Sequence, residues 1–148
     1  MIYLMALDRM GFLLKHAYLA YESLAAEKYD AIGATARECG VLAQVQATEN
    51  PSQLELANEL GVDRTTMAQL LDSLEQRGLV SRTPLPTDRR KNLVSLTKSG
   101  HDLLARDRVI RAELDREFLA PVHTAEQATL RSSLHAIVNT QRTSSRTP

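Results

Sequence analysis

Between Arg64 and Ser73, polar side chains alternate with apolar ones at helical spacing. A stripe of Met67, Leu70, Leu71 and Leu74 would be buried, which leaves the polar side chains on the opposite face of the helix. Gln pairs bidentately with adenine, Arg pairs with guanine, and a Thr methyl or an Ala packs on the thymine methyl. The residues predicted to contact bases in this way are Arg64, Thr65, Ala68, Gln69 and Ser73.

A second charged group follows two prolines, Pro84 and Pro86, and consists of Asp88, Arg89, Arg90 and Lys91. Cations at the tip of a rigid hairpin can enter the minor groove, where narrow A·T tracts concentrate negative potential. Asp88 is predicted to accept hydrogen bonds from a neighbouring arginine and so hold the tip in shape. The alternative is a hairpin whose charges only keep its edges from pairing with other chains.

The elements that must position these residues follow one another closely. Ser52 and Glu55 have capping-box spacing and open a short helix, with Leu54, Ala57 and Leu60 predicted inward, that ends at Gly61. Asp63 is a good N-cap for a second helix, 64–77, which Gly78 would end. Alternating strands over 79–83 and 92–97, joined by a loop of about eight residues, predict a hairpin. This order predicts a helix-turn-helix with a β-wing, a unit that holds a helix in a DNA groove.

Long helices are predicted on both sides of this unit. The first precedes a break at Gly33, and a second follows over 35–47. A third runs from 97 to about 119 with an apolar stripe that includes Val109, and a last helix opens at a capping box formed by Thr124 and Gln127. We therefore predict a mainly α fold with a small β-wing (α+β) and one domain. It would comprise a DNA-binding lobe, 34–98, a helical dimerisation region, 1–33 and 99–142, and a disordered tail, 143–148. A dimer is expected because the terminal stripes offer more apolar surface than one small domain can cover.

Charge and composition narrow the class of function. The net charge is zero, yet residues 64–98 carry seven basic and three acidic side chains, so the excess of cations lies where phosphates would bind. The single cysteine and the unpaired spacing of the four histidines predict no zinc site. Enzyme motifs such as a nucleophile elbow, a phosphate loop or a dinucleotide fingerprint are absent from the sequence. No apolar run reaches the roughly 20 residues of a membrane span, so we expect a cytoplasmic, nucleoid-associated protein without a cofactor.

The segment LANELGVDRTTMAQLLDSLEQRGLVSR, followed by DRR and LTKSG, resembles the MarR (multiple antibiotic resistance regulator) family of bacterial winged-helix repressors. The resemblance covers about residues 52–100 and implies a homodimer that binds a pseudo-palindromic operator and releases it when a small, often aromatic, effector binds. By position, the groove-reading residues of the family fall on Arg64, Thr65, Thr66 and Gln69. The wing residues fall on Asp88 and Arg90, with Arg89 as an added cation. Ser52 and Gln53, at the start of the preceding helix, are included among the predicted DNA contacts.

Three residues are predicted to contact the effector: His16, Tyr18 and Cys39, which place polar groups on otherwise apolar helices. One alternative is a redox-sensing regulator. Cys39 would begin the second helix near Arg37, and both a helix N-terminus and a cation favour the thiolate. Another alternative is a winged helix that binds proteins rather than DNA, because a fold does not fix a function.

Overall fold

The computed structural model describes residues 8–85 and 87–144, except for the side chains of residues 89, 90 and 141–144. In chain order the elements are α1 (Met10–Asp30), α2 (Ala36–Thr48), α3 (Gln53–Leu60), α4 (Arg64–Gln76), β1 (Val80–Leu85), β2 (Asp88–Leu96), α5 (Lys98–Phe118) and α6 (Thr124–Ser144). The mainly α fold with a small two-stranded wing is thereby confirmed. The predicted tail begins too early, because α6 extends to Ser144, and residues 145–148 lie outside the described part.

The helix boundaries follow the local signals in the sequence. Thr35 and Ser52 each form a complete capping box, with Glu38 and Glu55 as partners. Gly61 and Gly78 have φ angles of +62° and +66°, the left-handed conformation that ends a helix at little cost for glycine. Thr97 caps α5 by accepting a hydrogen bond from the Gly100 N–H at 3.1 Å. The helix-turn-helix therefore has the bounds that capping chemistry predicts.

The start of α6 differs from the prediction. His123 Nδ1 accepts the hydrogen bond from the Ala125 N–H at 3.3 Å. The Gln127 amide donates to the carbonyls of Leu119 and Val122, whereas a capping box would have its side-chain oxygen accept from the Thr124 N–H. The capping box assigned to Thr124 and Gln127 is therefore wrong. Gln127 thus ties the start of α6 to the loop that follows α5, where the Leu119 carbonyl also accepts from the Val122 N–H at 2.9 Å.

The core lies among the end of α1, α2, α3, α4, the wing and α5 as far as Leu114. The prediction of inward residues was correct for Ala57 and for most of the α4 stripe, but Leu54 is 41% exposed and Leu56 is buried in its place. Val109, predicted inward, is 60% exposed. The core residues with the lowest exposure are Leu42, Leu56, Met67, Leu71, Leu74, Val94 and Leu114.

The wing is held against this core at close range. A Cβ at Gly100 would lie 2.1 Å from the carbonyl oxygen of Leu79, so only glycine allows α5 to approach the start of β1 this closely. The antiparallel pairing runs from Val80 with Leu96 to Pro84 with Asn92, and a bulge follows between Pro84 and Leu85. The predicted eight-residue loop was too long. Proline has no backbone N–H to donate, but on the outer edge of a two-stranded sheet no partner strand requires that donor. Pro84 can therefore belong to the strand.

One buried carboxylate, that of Asp107, links α1 to α5 within the first of two compact units of the chain. Asp107 of α5 is 1% exposed, accepts a 2.6 Å hydrogen bond from the Tyr29 hydroxyl of α1, and pairs with Arg111 at 2.9 Å. Burial raises the pKa of Tyr29, and the hydrogen bond to Asp107 adds to the effect. Buried charges are tolerated when they are paired in this way. The chain divides after Leu114, and residues 115–148 form a second compact unit containing an Arg131–Asp115 salt bridge of 3.0 Å.

Candidate nucleic-acid interface

The recognition helix, α4, begins at a strong cap. The Asp63 carboxylate accepts a hydrogen bond from the Thr66 N–H at 2.9 Å and another from the Thr66 hydroxyl. These bonds from Thr66 lower the pKa of Asp63, so the cap stays ionised at neutral pH. The Thr66 hydroxyl is thus engaged in the cap, and the residue is half-buried. The cap fixes the first turn, which is the part of the helix that contacts bases in this motif.

The outward face of α4 is narrower than the sequence suggested. Thr65 and Gln69 are exposed, and a helical period of about 100° per residue places them close together on the side opposite the buried stripe. Arg64 is exposed but lies toward one flank of the helix. Ala68 and Ser73 are half-buried, so they can touch a duplex only at the margin of this face. Gln69 is thus the best-placed amide for reading a base edge.

The described part of the wing carries exposed Lys91 and half-buried Asp88, both on β2. The backbone of Arg89 and Arg90 belongs to the same strand, but their side chains lie outside the described residues. The predicted hydrogen bond between Asp88 and a neighbouring arginine therefore stays a prediction. Backbone pairing extends to Asp88, so the cationic residues follow directly from a defined turn.

An ion-pair cluster that the sequence analysis missed joins the wing to α4, and we call it the Arg82 clamp. The Arg82 guanidinium contacts Asp72 at 2.7 Å and donates through Nε to Glu75 at 2.9 Å. Its backbone N–H also donates to Glu75 at 3.1 Å. The side-chain bond to Arg82 lowers the pKa of Glu75, and the same bond raises the pKa of Arg82. The sequence shows the opposite charges, with Asp72 and Glu75 near the end of α4 and Arg82 on the following strand, but not that the strand returns beside the helix.

This clamp changes the electrostatic account of the surface. Arg82 is engaged with two carboxylates, and Arg77 pairs with Glu38 at 2.7 Å while also donating to the Gly33 carbonyl. Two of the seven cations counted between residues 64 and 98 are therefore engaged in ion pairs with carboxylates of the same chain. The remaining five basic residues of that segment lie at the start of α4, along the wing and at the start of α5.

A cleft of about 280 Å³ separates the start of α3 from the start of α4 and from the wing. Its described lining comprises Ser52, Gln53, Leu54, Arg64, Lys91 and Asn92. We call it the cationic cleft, because its two ionisable lining residues are basic. Glu55 lies close by, but its carboxylate accepts a 2.7 Å hydrogen bond from the Ser52 N–H in the capping box. Bonds to Ser52 are the main cause of the lowered pKa of Glu55, and Lys91 contributes less.

The predicted effector residues are divided between two environments. His16 and Tyr18 are exposed on α1. The His16 ring packs on Phe12 with centroids 4.0 Å apart, and the Tyr18 hydroxyl donates to Glu22. Cys39 is 1% exposed inside the core. Burial is the main cause that raises its thiol pKa, to about 12, and the neighbouring Asp107 carboxylate adds to it. The lowered pKa expected from the helix start and Arg37 is therefore wrong.

A second cleft, of about 350 Å³, lies where α1 turns into α2, and we call it the elbow cleft. Ala25, Ala26 and Tyr29 of α1 face Ala34 to Arg37 across it, with Glu22 and Asp30 at its edge. None of the three predicted effector residues lines it. Tyr18 is nevertheless close to it, since Glu22 is its hydrogen-bond partner and the charge of Arg37 acts on its hydroxyl.

The described residues hold neither a candidate metal site nor a candidate membrane span. No group of three or more His, Cys, Asp or Glu side chains in the described part of the chain could hold a metal ion. Among the same residues, no helix is both long and apolar enough to cross a membrane.

Comparison with known proteins identifies relatives over most of the chain. The MarR family model matches residues 35–91. A Thauera aromatica protein assigned as a transcriptional regulatory protein for the hcr operon is 31% identical over 122 residues, which are 82% of this chain and 74% of that protein.

Solved structures agree with this result. The transcriptional repressor CouR, bound to a 23-mer DNA duplex, is 30% identical, with a TM-score of 0.83 over 88% of this chain and 93% of that one. The PcaV transcriptional regulator from Streptomyces coelicolor, in complex with its natural ligand, is 26% identical, with a TM-score of 0.76 over 89% and 93% of the two chains. Together with the capped recognition helix and the wing, these matches show that the chain belongs to the MarR family of DNA-binding transcriptional regulators.

Proposed function

We propose that the chain is a homodimeric bacterial repressor, active in the cytoplasm at the nucleoid, that leaves its operator when a small aromatic effector binds. The observation that carries the proposal is the rigid unit formed by α4 and the wing. Asp63 fixes the start of the helix, and the Arg82 clamp fixes its far half against β1. A helix and a hairpin held at a constant angle can enter adjacent grooves of one duplex together.

The homodimer follows from the distribution of apolar surface. Ten of the twelve large hydrophobic side chains that are exposed in the described residues lie on α1 or α6. They include Leu13, Leu14 and Leu19 on α1, and Leu134 and Ile137 on α6. Helices that each expose several large apolar side chains are expected to form an interface. A second copy would cover both helices through a two-fold axis and place two recognition helices on one duplex, with residues 34–98 as the DNA-binding lobe.

Base reading is assigned to the first turns of α4. Gln69 and Thr65 would face base edges, with Thr66, Ala68 and Ser73 at the margin of the contact. Arg89 and Arg90 of the wing would enter the minor groove, where cations are attracted most strongly over narrow A·T tracts, with Asp88 holding the tip in shape and Lys91 at the base of the tip. Ser52 and Gln53 would contact the sugar-phosphate backbone, which fixes the position of the protein along the DNA.

The effector proposal draws on PcaV, whose solved structure contains its natural ligand. In this chain the elbow cleft lies between α1 and α2. Its lining includes several alanines, the buried Tyr29 and Arg37. An aromatic carboxylate would place its ring among the alanines and its charge near Arg37 and Tyr18, with His16 two residues before Tyr18 on α1. Binding there would favour a dimer with a different spacing of the recognition helices, which is the condition for releasing DNA.

Variants test this effector site. His16→Ala and Arg37→Ala should each weaken the thermal stabilisation produced by an aromatic acid and leave ligand-free DNA affinity unchanged, with Lys15→Ala as the exposed control on α1. If both variants are stabilised as strongly as the wild-type protein, the effector binds elsewhere.

A salt titration of duplex binding tests the function as a whole. We expect the logarithm of the association constant to fall linearly with the logarithm of salt concentration, because bound cations release counterions from the duplex. A protein-binding winged helix would give weak binding without such a slope. The redox alternative has no support from Cys39, which is buried and has a raised thiol pKa.

A further inference from the structure

We propose that the cationic cleft is an anchor for one backbone phosphate of the DNA, held jointly by Arg64 and Lys91, and that Arg64 therefore does not read a base. The inference rests on the proposed DNA binding and divides the predicted contacts into two kinds. Gln69 and Thr65 would read sequence. Arg64, Lys91 and the start of α3 would fix the register of the protein on the duplex.

Backbone bonds hold all three sides of the cleft in place. The Val94 N–H donates to the Pro51 carbonyl at 2.9 Å, and Ser52 forms a β-bridge with Leu93, so the start of α3 is paired with β2. Lys91 and Asn92 immediately precede that bridge. The third side is the first residue of α4, whose position the Asp63 cap determines. A binding site built on such paired backbone is already organised before the ligand arrives.

The orientation of Arg64 separates it from the base-reading face. Five residues of α-helix turn through about 140° beyond one full turn, so Arg64 and Gln69 project in very different directions. Arg64 lines the cleft with Lys91, whereas Gln69 does not. In docked helix-turn-helix proteins the phosphate backbone lies beside the helix and the base edges lie in front of it. A residue on the flank that faces the wing is therefore placed for the backbone.

The chemistry of the lining suits a phosphodiester. Arg64 and Lys91 are exposed, and neither forms a salt bridge within the described part of the chain. Ser52, Gln53 and Asn92 add neutral polar groups. Leu54, which the sequence analysis placed in the core, is exposed at the cleft and could pack against the adjoining deoxyribose. The burial of Leu56 turns this leucine outward, so the cleft acquires an apolar edge without any loss to the core.

The test compares the intact wild-type protein with Arg64→Ala, Lys91→Ala and Arg64→Lys. The DNA is a duplex selected from a random-sequence library by the wild-type protein, alongside an unselected duplex of the same length. Arg64→Ala should weaken binding to both duplexes by the same factor and reduce the salt slope by about 0.9 for each subunit, which is about 1.8 for the dimer. Arg64→Lys should keep the slope. Arg106→Ala, which removes an exposed cation of α5, is the control and should change neither quantity.

Single methylphosphonate substitutions along the selected duplex identify the phosphate. One position in each half-site should weaken binding by the wild-type protein, and that position should no longer matter for Arg64→Ala or for Lys91→Ala. The anchor is excluded if the two variants become insensitive to different positions, or if Arg64→Ala changes the preferred base while the salt slope stays the same. At equal ionic strength, replacing chloride by inorganic phosphate should change the melting temperature of the wild-type protein and of Arg64→Ala by the same amount. A stabilisation by phosphate that Arg64→Ala abolishes would indicate a site for free anions instead.

The experiment distinguishes a failure of the proposed DNA binding from a failure of the proposed phosphate anchor. Duplex binding by the wild-type protein with unaltered binding by both cleft variants would overturn the anchor alone. A wild-type protein that binds no duplex would overturn both. Circular dichroism and thermal melting of each variant confirm that the fold is retained, which we expect because both cations are exposed.

Discussion

At the scale of single residues, the sharpest expectation concerns Gln69. Gln69→Ala should lower affinity for the operator by about 1–3 kcal/mol, because an amide that pairs bidentately with adenine is lost, while affinity for unrelated duplexes stays the same. Competition binding with operators substituted at each position measures the change, which should be confined to one base pair in each half-site. Gln76→Ala, at the far end of the same helix, is the matched control. Equal losses on operator and random DNA would show that Gln69 does not read a base.

Cys39 gives a prediction of the opposite kind, an absence of reactivity. Its thiol pKa is raised to about 12 by burial and by Asp107, so the native protein contains almost no thiolate at pH 8. Alkylation should therefore be slow until the protein unfolds, and peroxide should not release DNA. Because the folded pKa lies above the unfolded value of about 8.5, the favourable contribution of the neutral thiol is complete below that value. It is lost as the pH rises toward 12.

Cys39→Ser serves as the control for both measurements. It should bind DNA as the wild-type protein does, with or without peroxide. Rapid labelling of the native wild-type thiol, together with DNA release by peroxide that Cys39→Ser lacks, would restore the redox alternative.

At the scale of elements, the Arg82 clamp should determine how α4 and the wing act together. Its loss in Arg82→Ala should cost roughly 0.5–1 kcal/mol of coupling with Glu75, as measured by a double-mutant cycle of unfolding with Glu75→Gln. DNA affinity should fall further than this stability change explains, because the wing then leaves the angle required by the groove. Lys98→Ala, which removes an exposed cation just beyond the wing, is the control.

The acid dependence of the clamp has a definite sign. The pKa of Glu75 is lowered in the folded protein, chiefly by its bond to Arg82. Its contribution is thus present above the unfolded pKa of about 4.3 and is lost as the pH falls through the folded value. The stability difference between wild-type protein and Arg82→Ala should shrink below about pH 4. A difference that is constant from pH 7 to acid would show that the clamp is not ionic.

The helices and strands also show which structural features could be predicted from sequence patterns. The caps at Ser52 and Asp63 and the ends at Gly61 and Gly78 are local chemistry, and they were predicted correctly. The Arg82 clamp could not be predicted, because it depends on how a strand returns along a helix. The direction of Leu54 was wrong because three apolar residues at helical spacing fitted two possible faces of α3, and only packing against the core selects Leu56. Tertiary contacts decide where local patterns allow two answers.

At the scale of the whole molecule, we expect the exposed apolar side chains of the terminal helices to be required for DNA binding. A chain lacking residues 124–148 loses the exposed stripe of α6 and should be monomeric or aggregated in light scattering, with no preference for operator DNA. Ile137→Ala at the centre of that stripe should weaken the dimer, whereas Val109→Ala, exposed on α5, should not. A truncated chain that stays dimeric would place the interface elsewhere.

The central claim is that two copies of this chain read one pseudo-palindromic duplex through paired recognition helices. Sequencing of the duplexes that the intact protein selects from a random library tests it most directly. The claim predicts two inverted half-sites whose centres lie about one helical turn apart, roughly 10–10.5 base pairs. Enrichment of a lone half-site, of direct repeats, or of no sequence at all would contradict it.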